Sequence, residues 1–443
     1  MIPQLEVFHV PDTQTGVEHM YKVNIRPMSA VSESSVVEFA FGGVNQDYLC
    51  TEESRLVAKF RLLHQDGTKL HVQEKKLDGT PKEGSAVDEK AAPANLSIHA
   101  VWSQIDIFMN GTRMTQASNM YGYKAYLKTL MTHSSDVKKT QMAAQGFRQE
   151  TGSNLDELSA TKNKSYAWRK ELFKGSKTVE LEAPLLEDVM QLKKYLLNGL
   201  RIQIKLYPAL KKFYIMAADA TKDYKLELVD VVFRACMVKV SPGVILGHAK
   251  AMETANAIYP YTRIETKSYA VSADTTNLYL DNMFQGNRPS QLVFAFVSSK
   301  AFNGDYKRNP FKFHHYHITD VRLVMDGQTL PGPPLKVDFA EANGSNYIEA
   351  YTNMFEALGK LGKDFGGGIT PEIYANGHTI FVYNLEPLPP SPAYINLKRH
   401  ANIRLEVNFA FPLEETVTAI CFAKHTAIFE IDSARNIIMP ATN

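Results

Sequence analysis

Ile105-Asp-Ile-Phe-Met-Asn-Gly-Thr112 returns 216 residues further on as Val321-Arg-Leu-Val-Met-Asp-Gly-Gln328. In both copies an alternating run ends in Asn-Gly or Asp-Gly. Such a pair tolerates the positive φ angles of a type I′ turn, so each copy reads as the start of a β-hairpin. Two further echoes keep the same order. Gly199-Leu-Arg-Ile-Gln-Ile-Lys-Leu206 is matched by Asn402-Ile-Arg-Leu-Glu-Val-Asn-Phe409, which sets Arg201 against Arg404 at a spacing of 203 residues. Val36-Val-Glu-Phe-Ala-Phe41 is matched by Gln291-Leu-Val-Phe-Ala-Phe296 at a spacing of 255. These spacings far exceed the roughly 20–50-residue period of a solenoid and imply two copies of a whole domain.

Both copies are written in strand code. Leu200, Ile202, Ile204 and Leu206 alternate with Arg201, Gln203 and Lys205, which puts the aliphatics on one face of a half-buried strand. Ile403, Leu405, Val407 and Phe409 do the same against Arg404, Glu406 and Asn408. Asn376-Gly377 predicts a third hairpin, between Ile373-Tyr374 and Thr379-Ile-Phe-Val-Tyr383. Helix is scarce. Tyr126, Leu127, Leu130 and Met131 form a helical stripe over 123–131, and 347–358 takes the matching place in the second copy. A third helix is expected over 246–258, bracketed by Pro242-Gly243 and Tyr259-Pro260 and bridging the halves.

Each half thus offers about eight strands with one helical insertion. The expected fold is all-β: a double jelly roll, two tandem eight-stranded antiparallel sandwiches with short helical insertions. The expected divisions are an N-terminal arm over 1–33, where Pro3, Pro11 and Pro27 oppose helix, a first jelly roll over 34–242, a helical linker over 243–262 and a second jelly roll over 263–443. Long loops are expected at 78–95, 138–177, 331–346 and 359–368, with a stiff Pro-rich connection from Glu386.

Apolar residues make up 44% of the 443 and charged residues 22%, ordinary for a globular protein, and the net charge of +2 demands no acidic partner. The charge is uneven, however: 138–212 holds fifteen Lys and Arg against eight Asp and Glu. Lysines such as Lys138, Lys139, Lys193 and Lys194 either solubilise loops or face a neighbouring subunit or duplex DNA. Three cysteines, none in a Cys-x-x-Cys, suit a reducing compartment, with Cys236 and Cys421 as small hydrophobes in the last strand of each half. The opening Met1-Ile-Pro-Gln-Leu-Glu lacks the features of a secretion signal. No stretch approaches the roughly 18 apolar residues of a membrane helix. The expectation is a protein neither secreted nor membrane-spanning.

Chemistry finds few footholds. In His314-His-Tyr-His317, His315 and His317 would share one face of a strand, as a ligand pair requires. Cupin-type sites then want a Glu four or five residues on, where Val321 and Arg322 stand. Gly359, Gly362 and Gly366-Gly367-Gly368 imitate a phosphate loop, but Gly359-Lys360 and Gly362-Lys363 lack the following Ser or Thr. No local motif makes Cys50, Cys236 or Cys421 a nucleophile. Glu414 and Glu415 point to opposite faces if extended. The sequence therefore predicts no enzyme, no catalytic or cofactor-binding residues, no metal site and no cofactor. Competing readings are a bicupin-like or other double β-sandwich enzyme, and a carbohydrate-binding double sandwich.

A resemblance runs through nearly the whole chain. Pro11-Asp-Thr-Gln-Thr-Gly16, Glu38-Phe-Ala-Phe-Gly-Gly43 and Tyr48-Leu49 resemble the entry to the first barrel of Polinton (Maverick) major capsid proteins. Trp102-Ser-Gln-Ile-Asp-Ile-Phe-Met-Asn-Gly111, Tyr121-Gly-Tyr-Lys-Ala-Tyr-Leu-Lys-Thr-Leu130 and Asp136-Val-Lys-Lys-Thr140 make the strongest match. Gly377-His-Thr-Ile-Phe381, Asn402-Ile-Arg-Leu-Glu-Val407 and Phe429-Glu-Ile-Asp-Ser-Ala-Arg435 are similar to that family's tail. Adintovirus and virophage hexons are related. The resemblance implies a hexon-type capsid protein that forms a homotrimer, meets neighbouring capsomers and builds an icosahedral shell. It further implies a single jelly-roll penton partner, packaged double-stranded DNA on the inner face, and a virion assembled in the nucleus or cytoplasm of the host cell. Virophage relatives can carry a cleaved C-terminal extension; with Arg435 so near the end, none is expected here. The family brings no catalytic residues with it.

Overall fold

The computed structural model describes residues 13–30, 35–43, 46–73, 82, 88–150, 153–159, 161–284, 286–329, 332–340, 346–364, 366–386 and 396–439. The Pro-rich connection after Glu386, much of 78–95 and the first twelve residues lie outside them. In the first half β1 (Val17–Ile25), β2 (Val37–Gly42), β3 (Tyr48–His64), β4 (Trp102–Met109), β5 (Thr112–Arg113), β6 (Val179–Ala183), β7 (Arg201–Pro208) and β8 (Tyr224–Val240) build two sheets, ordered β1-β8-β3-β6 and β2-β7-β4-β5. In the second half β9 (Ala257–Val271), β10 (Asn277–Leu280), β11 (Gln291–Ser298), β12 (Ile318–Met325), β13 (Gln328–Thr329), β14 (Ile380–Asn384), β15 (Ile403–Phe409) and β16 (Val417–Ile431) repeat the plan as β9-β16-β11-β14 and β10-β15-β12-β13.

All these neighbours are antiparallel. The pairs β1–β8, β2–β7, β3–β6 and β4–β5 are the rungs of one long folded hairpin. Rolling it up brings β8 beside β3 and β7 beside β4, which closes two facing sheets: the jelly-roll wrap, present twice, as expected. Short strands decorate this frame. Leu335–Lys336 joins β12, Ile437–Ile438 joins β16, and Ala91–Pro93 pairs with Ile215–Ala217.

The Asn-Gly and Asp-Gly hairpins form as their sequences predict. Asn110 and Asp326 sit at φ 48° and 51°, and Gly111 and Gly327 at 82° and 81°. Each turn is pinned to the next strand in the same way. The Asn110 amide donates to the Arg201 carbonyl at 2.9 Å, and the Arg201 amide donates to Asn110 Oδ1 at 2.7 Å. In the second roll the Asp326 amide donates to the Asn402 carbonyl at 3.1 Å, and the Asn402 amide donates to Asp326 Oδ1 at 2.9 Å. Arg201 therefore corresponds to Asn402, and the expected match with Arg404 is two residues out. A two-residue slip keeps every side chain on its own face, so alternation is blind to it.

The Phe-Ala-Phe echo is corrected outright. Phe39-Ala40-Phe41 lies in β2, but Phe294-Ala295-Phe296 lies in β11, which corresponds to β3 and belongs to the other sheet. β2 buries one face and β11 both. Two different burials thus produced the same tripeptide. The N-terminal arm is corrected too: 17–25 is an edge strand paired with β8 from Val17↔Val240 to Ile25↔Phe233. It stays largely exposed, which is why it carries no apolar stripe.

Among the described residues, four helices of nine residues or more lie in the connections. α1 (Tyr121–Thr132) follows β5, and α2 (Lys164–Leu172) lies within the segment read as a loop. α3 (Pro242–Ala251) joins the rolls, and α4 (Ile348–Ala357) occupies in the second roll the place of α1 in the first. α3 begins earlier than expected because Pro242 takes the first helical turn, where its missing N–H is no loss. It also ends earlier: Tyr259-Pro260 is inside β9, an edge strand that tolerates proline. Asn376-Gly377 makes no hairpin, because Thr370 caps a short helix at Pro371–Ala375, accepting from the Ile373 amide at 3.3 Å.

The two rolls share one continuous apolar core. Tyr126 of α1 stacks on Phe311 with centroids 4.1 Å apart and planes at 6°, and Tyr123 stacks on Phe302. At the other end, Arg435 donates to Asn198 Oδ1 at 2.9 Å, and Asn110 Nδ2 donates to the Arg435 carbonyl at 2.7 Å. Strand alternation sends the described parts of the connections that leave β3, β5, β11 and β13 to one end of the molecule. The short turns at Asn110 and Asp326 lie at the other, together with α3 and Arg435.

Candidate assembly surface

The residues that hinted at chemistry are placed differently from expectation. His315 and His317 are not on a strand: β12 starts at Ile318, and Tyr316 and His317 take left-handed φ angles of 44° and 52°. His314 Nδ1 accepts from the Tyr316 amide at 3.1 Å, and His315 Nδ1 from the His317 amide at 3.0 Å. The imidazoles hold a turn. His315 also stacks on Phe339 at 4.4 Å. Burial lowers the pKa of His314 to about 4 and that of His315 to about 3. Among the described residues no three His, Cys, Asp or Glu side chains cluster as metal ligands would.

The glycine loop is a clamp. Lys138 Nζ donates to the Gly367 carbonyl at 2.9 Å and to the Leu130 carbonyl at 2.5 Å, and Gln149 Nε2 reaches the Gly368 carbonyl at 3.1 Å. From the other side Lys360 Nζ donates to the Thr132 carbonyl at 2.8 Å. The loop thus offers carbonyls to side-chain donors of the first roll, Lys138 and Gln149. A phosphate loop presents amides.

Those bonds also dissolve part of the basic segment. Lys138 is only 1% exposed, and burial with Lys360 nearby lowers its pKa to about 7. Arg169, fully buried, meets Glu150 at 3.1 Å, Lys193 meets Glu52 at 2.5 Å, and Lys194 donates to the Ile258 carbonyl at 3.1 Å. Lys139 remains exposed. Reversing the charge of Lys138 would therefore test the fold rather than a contact with DNA. The three cysteines are free and buried, their thiol pKa values raised by burial, and Cys50 faces Cys236 across β3 and β8. Raised thiols are poor nucleophiles. Glu415 is answered by Lys300 at 3.9 Å and Arg308 at 3.8 Å.

What the sequence reading missed is the exposure of α3. A helix apolar on most sides is normally buried. None of the residues of α3 is buried, and Leu246 is 70% exposed. It stands off the first roll across a cleft of about 550 Å³, lined by Val244, His248, Met252, Tyr48, Tyr195 and Ile258. The Tyr48 hydroxyl meets His248 Nδ1 at 2.8 Å and holds the helix there. Ile258 is 51% exposed on the adjoining start of β9. In general, an exposed apolar patch is a candidate contact surface.

No family model matches the chain. The uncharacterized protein F54H12.2 of Caenorhabditis elegans is 25% identical over 438 residues, covering 97% of this chain and 99% of its own. Among solved structures, a chain of the Sputnik virophage superposes with a TM-score of 0.65 at 11% identity, covering all of this chain and 92% of its own. The Faustovirus major capsid protein gives 0.55 at 9% identity over 98% of this chain and 93% of its own. The mavirus major capsid protein gives 0.53 at 11% identity over 95% and 90%. The fold is a double jelly roll.

In this double jelly roll, what the structure gathers is surface. The long connections crown one end. The exposed apolar helix and the two hairpin turns mark the other. Among the described residues no helix is long and apolar enough to cross a membrane.

Proposed function

We propose that this chain is a hexon-type major capsid protein, a structural and non-enzymatic subunit that trimerises and tiles an icosahedral shell. The observation that carries the reading is end-to-end: both rolls superpose on viral capsid chains with almost nothing left over on either side. Two similar rolls per chain give six per trimer, so a three-fold object acquires a nearly hexagonal outline. Such an outline tiles a flat facet. Hexagonal tiles alone cannot close a shell, so five-fold vertices call for a second protein, which the resemblance to Polinton major capsid proteins supplies as a single jelly-roll penton. The Polinton assignment draws support from the motifs quoted above and from a nematode relative of the same extent, as expected of a gene carried in an animal genome. On this reading the protein resides in a virion that encloses double-stranded DNA.

Light scattering on the purified chain tests it. The expected particle has three times the 49.7 kDa chain mass, and negative-stain images show pseudo-hexagonal outlines. A monomer that persists at all concentrations would defeat the proposal.

A further inference from the structure

Between the rolls lies a cavity of about 250 Å³ that mixes lysines with hydrocarbon. Leu127 and Met131 of α1 face Val293 of β11 and Phe422 of β16 across it, with Ile264 of β9 at the side. Four lysines border it: Lys124 and Lys128 from α1, Lys193, and Lys424 from β16. Two of them are answered. Lys124 Nζ lies 2.7 Å from Glu187 and 3.1 Å from Asp188, and Lys193 is paired with Glu52. Asp188 is further engaged by the Ile264 amide at 2.8 Å.

Lys128 and Lys424 have no carboxylate of their own among the described residues. Lys128 reaches only the Leu186 carbonyl, at a long 3.4 Å. Burial brings Lys128 down to about 8, against the pull of Asp188 and with Lys124 and Lys424 adding to the lowering, and burial lowers Lys424 as well, again against the pull of Asp188. With Glu52, Glu187 and Asp188 counted, four lysines face three carboxylates, so the site is one negative charge short. A charge held away from water needs a partner or it destabilises the fold. The walls around this deficit are apolar, so a bare inorganic anion would satisfy the lysines and leave the hydrocarbon uncovered.

We propose that this inter-roll cavity binds one small amphiphilic anion, a monocarboxylate with a short aliphatic chain. The carboxylate bridges Lys128 of the first roll and Lys424 of the second, and the chain covers Leu127, Met131, Val293 and Phe422. The volume lies just below the roughly 300 Å³ at which drug-sized sites begin, which fits a ligand of this modest size. Because its two anchors come from different rolls, the ligand fastens them to each other. Nothing in this inference depends on the shell-forming reading.

The test uses the full chain with sodium octanoate as the probe, and 1-octanol and sodium sulfate as controls. Calorimetric titration should show one octanoate per chain and a rise in Tm that saturates with concentration, with octanol and sulfate each at least tenfold weaker. Lys128→Met and Lys424→Met should each weaken octanoate at least tenfold. Both substitutions remove an unanswered charge and keep an unbranched side chain, so the unliganded variants should melt no lower than wild type. Absence of octanoate binding to wild type overturns the proposal without any variant. Binding of sulfate as tight as octanoate overturns the amphiphile and leaves a plain anion site. Undiminished octanoate binding in the double variant overturns the lysine bridge.

Discussion

At the scale of single residues, the chain's histidines say most about its behaviour. His99 and His378 are each 1% exposed. Burial is the main cause that lowers His99 to about 3 and His378 to about 4, with Lys138 adding to the latter. Both are neutral in the folded protein, whereas an unfolded histidine titrates near 6.5. Between those values the unfolded chain binds more protons than the folded one, so stability rises with pH across the window. It is complete above about pH 6.5 and lost as pH falls towards 4. His378→Phe should therefore narrow the gap between the unfolding free energies obtained from urea titrations at pH 7.5 and pH 5, by about 2 kcal/mol for this one site. An unchanged gap would mean that His378 is protonated in the fold. None of this was legible beforehand. A histidine in a strand-rich sequence looks alike whether it is buried, stacked or turned outward. The left-handed angles of Tyr316 and His317 had no glycine to announce them. Lys138 looked like any other member of a basic run, yet one of its two carbonyl partners comes from a loop more than two hundred residues away.

At the scale of elements, the legible part was whatever local chemistry dictates alone. Asn-Gly and Asp-Gly impose their turns, and period-2 alternation imposes a strand with one buried face. Both readings hold at β4–β5, β12–β13, β7 and β15. What failed needed a second element to decide it. The Arg201 register is set by hydrogen bonds with Asn110, and the Phe-Ala-Phe of β11 lies in a strand buried on both faces. The turns themselves give a measurable claim. Asn110 stands in the left-handed region, where a side chain without local hydrogen bonding is disfavoured by roughly 1–2 kcal/mol. Its Oδ1 also accepts from the Arg201 amide, a bond worth about 1 kcal/mol. Asn110→Ala should thus lower the unfolding free energy by about 2–3 kcal/mol, and Asn110→Gly by clearly less, since glycine recovers the conformational part. Asp326→Ala should behave like Asn110→Ala, because the second roll repeats the device. Equal losses for alanine and glycine at position 110 would show that backbone conformation contributes nothing.

At the scale of the whole molecule, the duplication was legible because its period is so long that only a repeated domain explains it. The division of labour between the two ends was not, since it follows from strand direction and from where α3 comes to rest. That helix gives the decisive test of how copies meet. Pro242-Gly-Val-Ile-Leu-Gly-His-Ala-Lys-Ala251 spends Val244, Ile245 and Leu246 on a helix with no buried residue. Apolar surface left in water forfeits roughly 25 cal/mol per Å². A surface helix free of any partner would be expected to carry charge there, and obligate oligomers bury large, apolar contacts of this type. If α3 is a subunit contact, Leu246→Asp places a charge in the interface while leaving the monomer's core untouched, because Leu246 is 70% exposed. The expected outcome is a folded chain with wild-type circular dichroism and an unchanged Tm in dilute solution, but a light-scattering mass close to 49.7 kDa. Ile245→Asp would be a poorer probe, since that side chain is half-buried against the first roll and its loss would disturb the fold as well. A trimer that survives Leu246→Asp would move the contact off α3 and onto the exposed edge of β1, where Met20 and Tyr21 are the apolar groups in view.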